Sequence, residues 1–120
     1  MNIVTPLSEE IARFLELNTR QIQLTSANMA NIDTPGYRAL GMDFEGEMRR
    51  AMNAINSDES LPQPQVVNED GLIVRPDGNN VSMDREGLNL AETQLRFKVG
   101  VTLLKAQYSD MMNAIHADAK

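Results

Sequence analysis

The stretch "NMANIDTPGYRAL", Asn28 to Leu40, decides how this chain is read. Its first half continues a helical pattern and its second half is a turn. Pro35 disfavours helical geometry at Thr34, so a helix running into this stretch must stop near Asp33. Pro35-Gly36 is a type II turn signal, with Pro presetting φ and Gly supplying φ > 0. Asn28 and Asn31 stand where the helix should be collecting apolar contacts. Two readings are open for them: a fraying helix end, where Asn is common, or polar contacts to the turn or to a neighbouring chain at a buried crossing.

Upstream, a long helix is expected to start near Thr5. Thr5 can cap it, Pro6 suits the first helical position, and Glu9 and Glu10 favour the positive end of the dipole. Ile11, Leu15, Ile22, Met29 and Ile32 recur at alternating steps of four and three, with Asn18 and Thr25 on the same stripe. Those two are neutral surface residues or polar groups that set register. Leu17 and Leu24 form a second, narrower stripe.

Downstream, Asp43 is the expected cap of a shorter helix to Ile55, with Phe44, Met48, Met52 and Ile55 on one face. "NSDESLPQPQ" reads as a linker. "QVV" and "LIVR" flank "NEDG" and suggest a small hairpin, which needs a support to be stable. "PDGNN" is a further turn cluster. A last helix is expected from Met83 to the C-terminus, capped by Ser82, with Asp84 and Glu86 favouring its start. Its cleanest stripe is Leu90, Phe97, Val101, Leu104, Tyr108, Met111 and Ile115. Leu88, Leu95, Val99 and Leu103 flank it, and Gly100 permits close helix approach.

The fold class expected is therefore mainly α: long N- and C-terminal helices paired as a coiled-coil-like bundle around a short irregular middle. The segments are 1–34, 35–80 and 82–120, together one domain, as 120 residues allow. Two paired helices bury one stripe each, so the second stripes mark an interaction surface.

Composition narrows the function. Aromatic residues are only 4% and Trp is absent, whereas Met is abundant at 8 residues, which suits adaptable contacts between chains. The formal charge of −6 argues against nucleic-acid binding and against a basic membrane-surface face. No apolar run reaches the roughly 20 residues of a membrane span. The start, "MNIVTPLSEE", has neither the basic nor the apolar region of a secretory signal, so the expected location is cytoplasmic or reached by a route that leaves the N-terminus intact. No GxSxG, HExxH, GxGxxG or P-loop pattern occurs. His116, the single histidine, has no positioned partner near it. "NEDG" fits a calcium loop poorly, because Val66 falls where the first acid belongs. No cofactor, metal or catalytic residue is expected, and most carboxylates read as solvated charges.

"ANMANIDTPGY", Ala27 to Tyr37, after an amphipathic helix, resembles the signature of the flagellar basal-body rod, hook and hook-associated family. That signature is N-(I/L/M)-A-N-x-x-T-x-G-(Y/F), matched here by Asn28, Ala30, Asn31, Thr34, Gly36 and Tyr37, with Pro35 in the turn. The middle is far too short for the hook or distal rod, which look like the same ends around large β-rich inserts. Nothing is inserted between Thr34 and Tyr37. "DGNNVSMDRE" and the helix after it look like the C-terminal half of a proximal rod subunit, except that Ser82 replaces a common acidic residue. The resemblance implies a bundle of paired terminal helices packed around a central channel in the rod. The implied partners are other rod subunits, the inner-membrane ring with its adaptor, and the flagellar export apparatus, which passes subunits unfolded and uncleaved into the periplasm. It also implies that Asn28, Ala30, Asn31, Thr34, Pro35, Gly36 and Tyr37 form the motif turn. Ile11, Leu15, Ile22, Met29, Phe97, Val101, Leu104, Tyr108, Met111 and Ile115 are then the assembly residues of the two helices. A soluble coiled-coil adaptor or export chaperone is the alternative; it explains the stripes and the acidity but not Pro35-Gly36-Tyr37.

Overall fold

A computed structural model of the chain describes residues 5–118; the ends of the first and last expected segments, 1–4 and 119–120, lie outside them. The elements run α1 (Pro6–Ala30), β1 (Leu40–Gly41), α2 (Phe44–Asn56), β2 (Val67–Asn68) and α3 (Met83–Asp118). The architecture is mainly helical, with long first and last helices and a two-stranded antiparallel sheet in the middle.

Local chemistry sets each helix start. The Thr5 hydroxyl accepts from the Ser8 amide at 3.1 Å, and the Ser8 hydroxyl accepts from the Thr5 amide at 2.8 Å. This reciprocal box uses Ser where Glu or Gln is usual, and Pro6 follows at the first helical position. Asp43 caps α2 through the Gly46 amide at 3.2 Å, and Ser82 caps α3 through the Arg85 amide at 3.4 Å. α2 closes with Asp58 at φ 54. The Asp58 and Glu59 amides turn back to the Ile55 and Ala54 carbonyls at 3.2 and 2.8 Å, a Schellman closure.

α1 and α3 are antiparallel. Gln107 donates to the Thr5 hydroxyl at one end, and Asn28 donates to Glu86 at the other. Midway, a Cβ on Gly100 would stand 2.7 Å from Leu15 Cδ2 and 2.9 Å from Phe14 Cδ1. At the glycine, α3 comes close enough to α1 that a side chain would not fit. α2 packs on α1. Phe14 meets Phe44 edge-to-face at 5.4 Å, and the Arg96 guanidinium lies over the Phe44 ring at 4.6 Å. The radius of gyration is 18.5 Å, against about 14 Å for a compact chain of this length. So elongated a molecule has room for only a small core, centred on Leu17, Leu24 and Met42.

The seam differs from the one expected. Apart from Arg13, the buried positions on α1 are Ile11, Asn18 and Thr25, Gln21 and Asn28, and Leu17 and Leu24, each set seven apart. The narrower Leu17–Leu24 stripe is thus the core stripe, whereas Leu15, Ile22 and Met29 are only half-buried. Ile32 lies past the end of α1, which stops at Ala30. On α3 the buried heptad is Glu86, Thr93 and Gly100, continued by half-buried Gln107. The expected apolar stripe does not face α1: Phe97, Leu104, Tyr108 and Ile115 are exposed, and Leu90, Val101 and Met111 are half-buried. Small and polar side chains let the helices approach closely, and that approach leaves no room for the larger apolar residues on either side of Gly100.

The middle differs in two further details. β2 pairs with β1, Leu40 opposite Asn68 and Gly41 opposite Val67, rather than with the Leu72–Arg75 segment. Gly71, at φ 76, makes a bend three residues beyond β2 instead of a hairpin turn. The Pro-rich stretch is not loose, because the Arg13 guanidinium donates to the Pro62 carbonyl and Glu47 Oε1 accepts from the Gln65 amide at 3.0 Å.

Candidate functional site: the asparagine joint and the exposed face of the last helix

Asn28 is no fraying helix end. This side chain is 1% exposed and uses all of its hydrogen-bonding capacity. Its amide donates to the Leu40 carbonyl at 2.8 Å and to Glu86 Oε1 at 3.0 Å. Its Oδ1 accepts from the Leu40 amide at 2.9 Å and from the Tyr37 hydroxyl at 3.0 Å. One side chain thus ties α1 to β1, to the motif turn and to α3, all within one chain. Each bond replaces one that water would otherwise make, so the set is costly to break.

Asn31 acts locally. It caps α1, donates to the Ala27 carbonyl at 2.8 Å and accepts from the Thr34 hydroxyl at 3.0 Å. The turn follows as the Pro-Gly pair predicts, with Gly36 at φ 77 and the Tyr37 amide bonded to the Thr34 carbonyl at 3.2 Å. Ala30, Thr34, Pro35 and Gly36 are exposed, and Tyr37 is half-buried.

The residues that hold this turn from outside carry no local signal. The Asn79 amide donates to the Asn31 and Thr34 carbonyls at 2.8 and 2.9 Å. Asn80 Oδ1 accepts from the Ala39 amide at 2.6 Å, and the Gly36 amide reaches the Asp77 carbonyl at 2.8 Å. Arg75 donates to the Val81 and Ile32 carbonyls. "PDGNN", read as a turn cluster, is therefore also the clamp on the motif turn. Gly78, at φ 86, lies so near Gly36 that a Cβ would be 3.2 Å from Gly36 Cα.

Two carboxylates depart from the expectation of solvated charge. Glu47 and Glu86 are each 1% exposed. Glu47 pairs with Arg50 and the Gln65 amide. Glu86 bonds the Asn28 amide, and its Oε2 is buried without a partner. Burial holds the Glu86 carboxyl above its ordinary pKa, against the easing effects of the Asn28 amide and the Arg85 charge; the Glu69 charge raises it further and the Thr25 hydroxyl lowers it. Burial, and then the Glu86 charge, also raise the Tyr37 hydroxyl.

No group of three or more metal-ligating side chains occurs among the described residues. His116 is exposed. What the surface does offer is apolar area. Ten of the sixteen exposed large apolar side chains among the described residues lie on α3, including Leu95, Leu104 and Tyr108 at 65, 40 and 65% exposure. A second patch adjoins the joint, where Ile73, 90% exposed, and Met83 border an open groove of about 590 Å³.

No protein-family model matches the chain. Among curated proteins it is similar to the flagellar basal body rod protein FlgB of Salmonella typhimurium, at 33% identity over 119 residues covering 84% of this chain and 86% of the relative. The chain belongs to the FlgB family of flagellar basal-body rod proteins. The FlgB proteins of Yersinia enterocolitica and Escherichia coli are 30% and 28% identical to it, over 84% and 86% of this chain and 87% and 88% of theirs. As a member of the FlgB family it is a structural subunit of the flagellar basal body. The joint and the exposed face of α3 are therefore read as parts of an assembling protein.

Proposed function

We propose that this chain is a proximal rod subunit that assembles through the outer faces of its terminal helices and performs no catalysis. The observation that carries the reading is the apolar face of α3. No residue of its expected stripe is fully buried within the subunit and four are exposed, although burying each such side chain is worth roughly 1.5–3 kcal/mol. A helix that keeps Phe97, Leu104, Tyr108 and Ile115 exposed has reserved them for neighbours. On α1, half-buried Leu15, Ile22 and Met29 flank the seam and join the same packing, while Ile11 belongs to the internal seam. Transmission of torque then rests on many small contacts between helices.

The neighbours are other rod subunits, with the inner-membrane ring and its adaptor at the base. The subunit reaches them through the flagellar export apparatus with its N-terminus uncleaved, and sits in the periplasmic part of the rod. Its three segments act as one unit, with the motif turn setting the exit angle of the chain from α1.

The double substitution Leu104→Glu with Tyr108→Glu tests this. The purified variant should keep the helicity and unfolding midpoint of the parent. Cells that carry it as their sole copy should lose motility, and electron microscopy of their basal bodies should find no complete rod. Normal swimming and normal rods would overturn the reading, and would favour an adaptor or chaperone that binds through another face.

A further inference from the structure

Where the end of α1, the motif turn, β1 and the first turn of α3 converge, one ionisable group is sealed in without a counter-charge. Glu86 has a single geometric hydrogen bond, from the Asn28 amide at 3.0 Å, and its second oxygen has none. Asn28 can offer nothing more, since its remaining bonds go to Leu40 and Tyr37. The ion pairs among the described residues are Arg13–Glu16, Arg50–Glu47 and Arg85–Glu69, so no cation pairs with Glu86. Each element packed here contributes its own group. α3 supplies Arg85, which is turned to Glu69 at 2.8 Å; the segment after β2 supplies Glu69 itself; the turn supplies the Tyr37 hydroxyl; and α1 supplies only the neutral Thr25 and Asn28.

An ionised carboxylate in such a place is costly, and a protonated one much less so. We propose that Glu86 makes this joint a proton-operated latch, tightest when Glu86 is neutral and loosened as it ionises, so that the motif turn and β1 are released from α1. The direction of the Glu86 pKa agrees, since burial, its largest cause, raises it. The sign follows from linkage. With a folded-state pKa above the unfolded value, the folded chain holds the extra proton between the two. The latch's contribution is then complete below the ordinary carboxylate value and is lost as pH rises through the raised one. This property belongs to the fold and is independent of which neighbours α3 meets.

Urea unfolding of the full chain and of Glu86→Gln between pH 5 and pH 8 tests it, because the difference between the two curves isolates Glu86 from other titrating groups. In the parent, the unfolded-to-folded ratio should rise by up to about tenfold per pH unit through the Glu86 window. In Glu86→Gln that component should vanish, and the variant should exceed the parent in stability at pH 8. The Leu40 amide, which donates to Asn28 Oδ1, should exchange more slowly in the variant at pH 8 after correction for intrinsic rates. Parallel curves, or a loss of stability in the variant that is equal at every pH, would overturn the latch. If the variant does not fold, the carboxyl carbon resonance of Glu86 in the parent decides. A midpoint above the ordinary value supports the latch, and one at or below it refutes it.

Discussion

The two halves of α3 follow opposite rules although they are one helix. Its first half is built into the joint. Ser82 caps it, Glu86 and Thr93 are buried against α1, and the Asn79 and Asn80 side chains just before it hold the motif turn. Beyond Gly100 no side chain of α3 is buried among the described residues, and of these only Val101, Gln107 and Met111 are half-covered. Yet the second half carries as many exposed large apolar side chains as the first, five in each. Order in the first half comes from polar groups that find partners inside the chain, with Glu86 Oε2 the exception. The apolar surface of the second half is unused by the subunit and remains available to other chains. Internal packing is thereby concentrated in the first stretch, while exposed apolar surface runs along both.

Substitutions in the joint and on the exposed face should have very different effects. Asn28→Ala removes four bonds at once and strands the Leu40 backbone, the Tyr37 hydroxyl and Glu86. It should cost about 3 kcal/mol or more, read as a fall in the urea midpoint; a loss below 1 kcal/mol would mean that water enters the joint freely. Leu24→Ala, in the small core, should cost roughly 2–3 kcal/mol by the same measurement. Gly100→Val forces Leu15 and Phe14 aside, and should cost about 1–2 kcal/mol despite the gain in helix propensity. Asp58→Gly relieves a left-handed residue at the end of α2 and should stabilise by about 0.5 kcal/mol, shown by a small rise in melting temperature. Smallest of all, Leu95→Ser on the exposed face should move the monomer by no more than about 0.5 kcal/mol. Amide exchange should rank the regions in the same way, with the greatest protection around Leu24–Asn28 and Leu40, and the least after Gln107.

Helix starts, a helix stop ahead of Pro35 (expected near Asp33, found at Ala30) and the Pro35-Gly36 turn were legible because each depends on a few neighbouring residues. Thr5, Asp43 and Ser82 cap their helices as their residue types predict. The tight approach at Gly100 was legible for a similar reason, since a mid-helix glycine has few other uses. The buried face was not legible. Heptad spacing marks several faces of α1 and α3 equally well, and the one that closed carries Asn18, Thr25, Thr93 and Gly100 rather than the largest apolar residues. Glu86 looked like a favourable charge near a helix start, because nothing adjacent to it in the chain reveals Asn28, 58 residues away. The clamp from Asn79 and Asn80 and the pairing of Leu40 with Asn68 were hidden for the same reason.

The amino-acid sequence by itself determined the three helices, their caps, the motif turn and an excess of apolar surface over what one small chain can bury. All of these rest on interactions within a few residues or on composition. Only the tertiary structure decided which surface is spent and which is kept. Close contact at Gly100 and the four bonds of Asn28 choose a narrow polar seam, and that choice turns the larger apolar side chains of α3 outward.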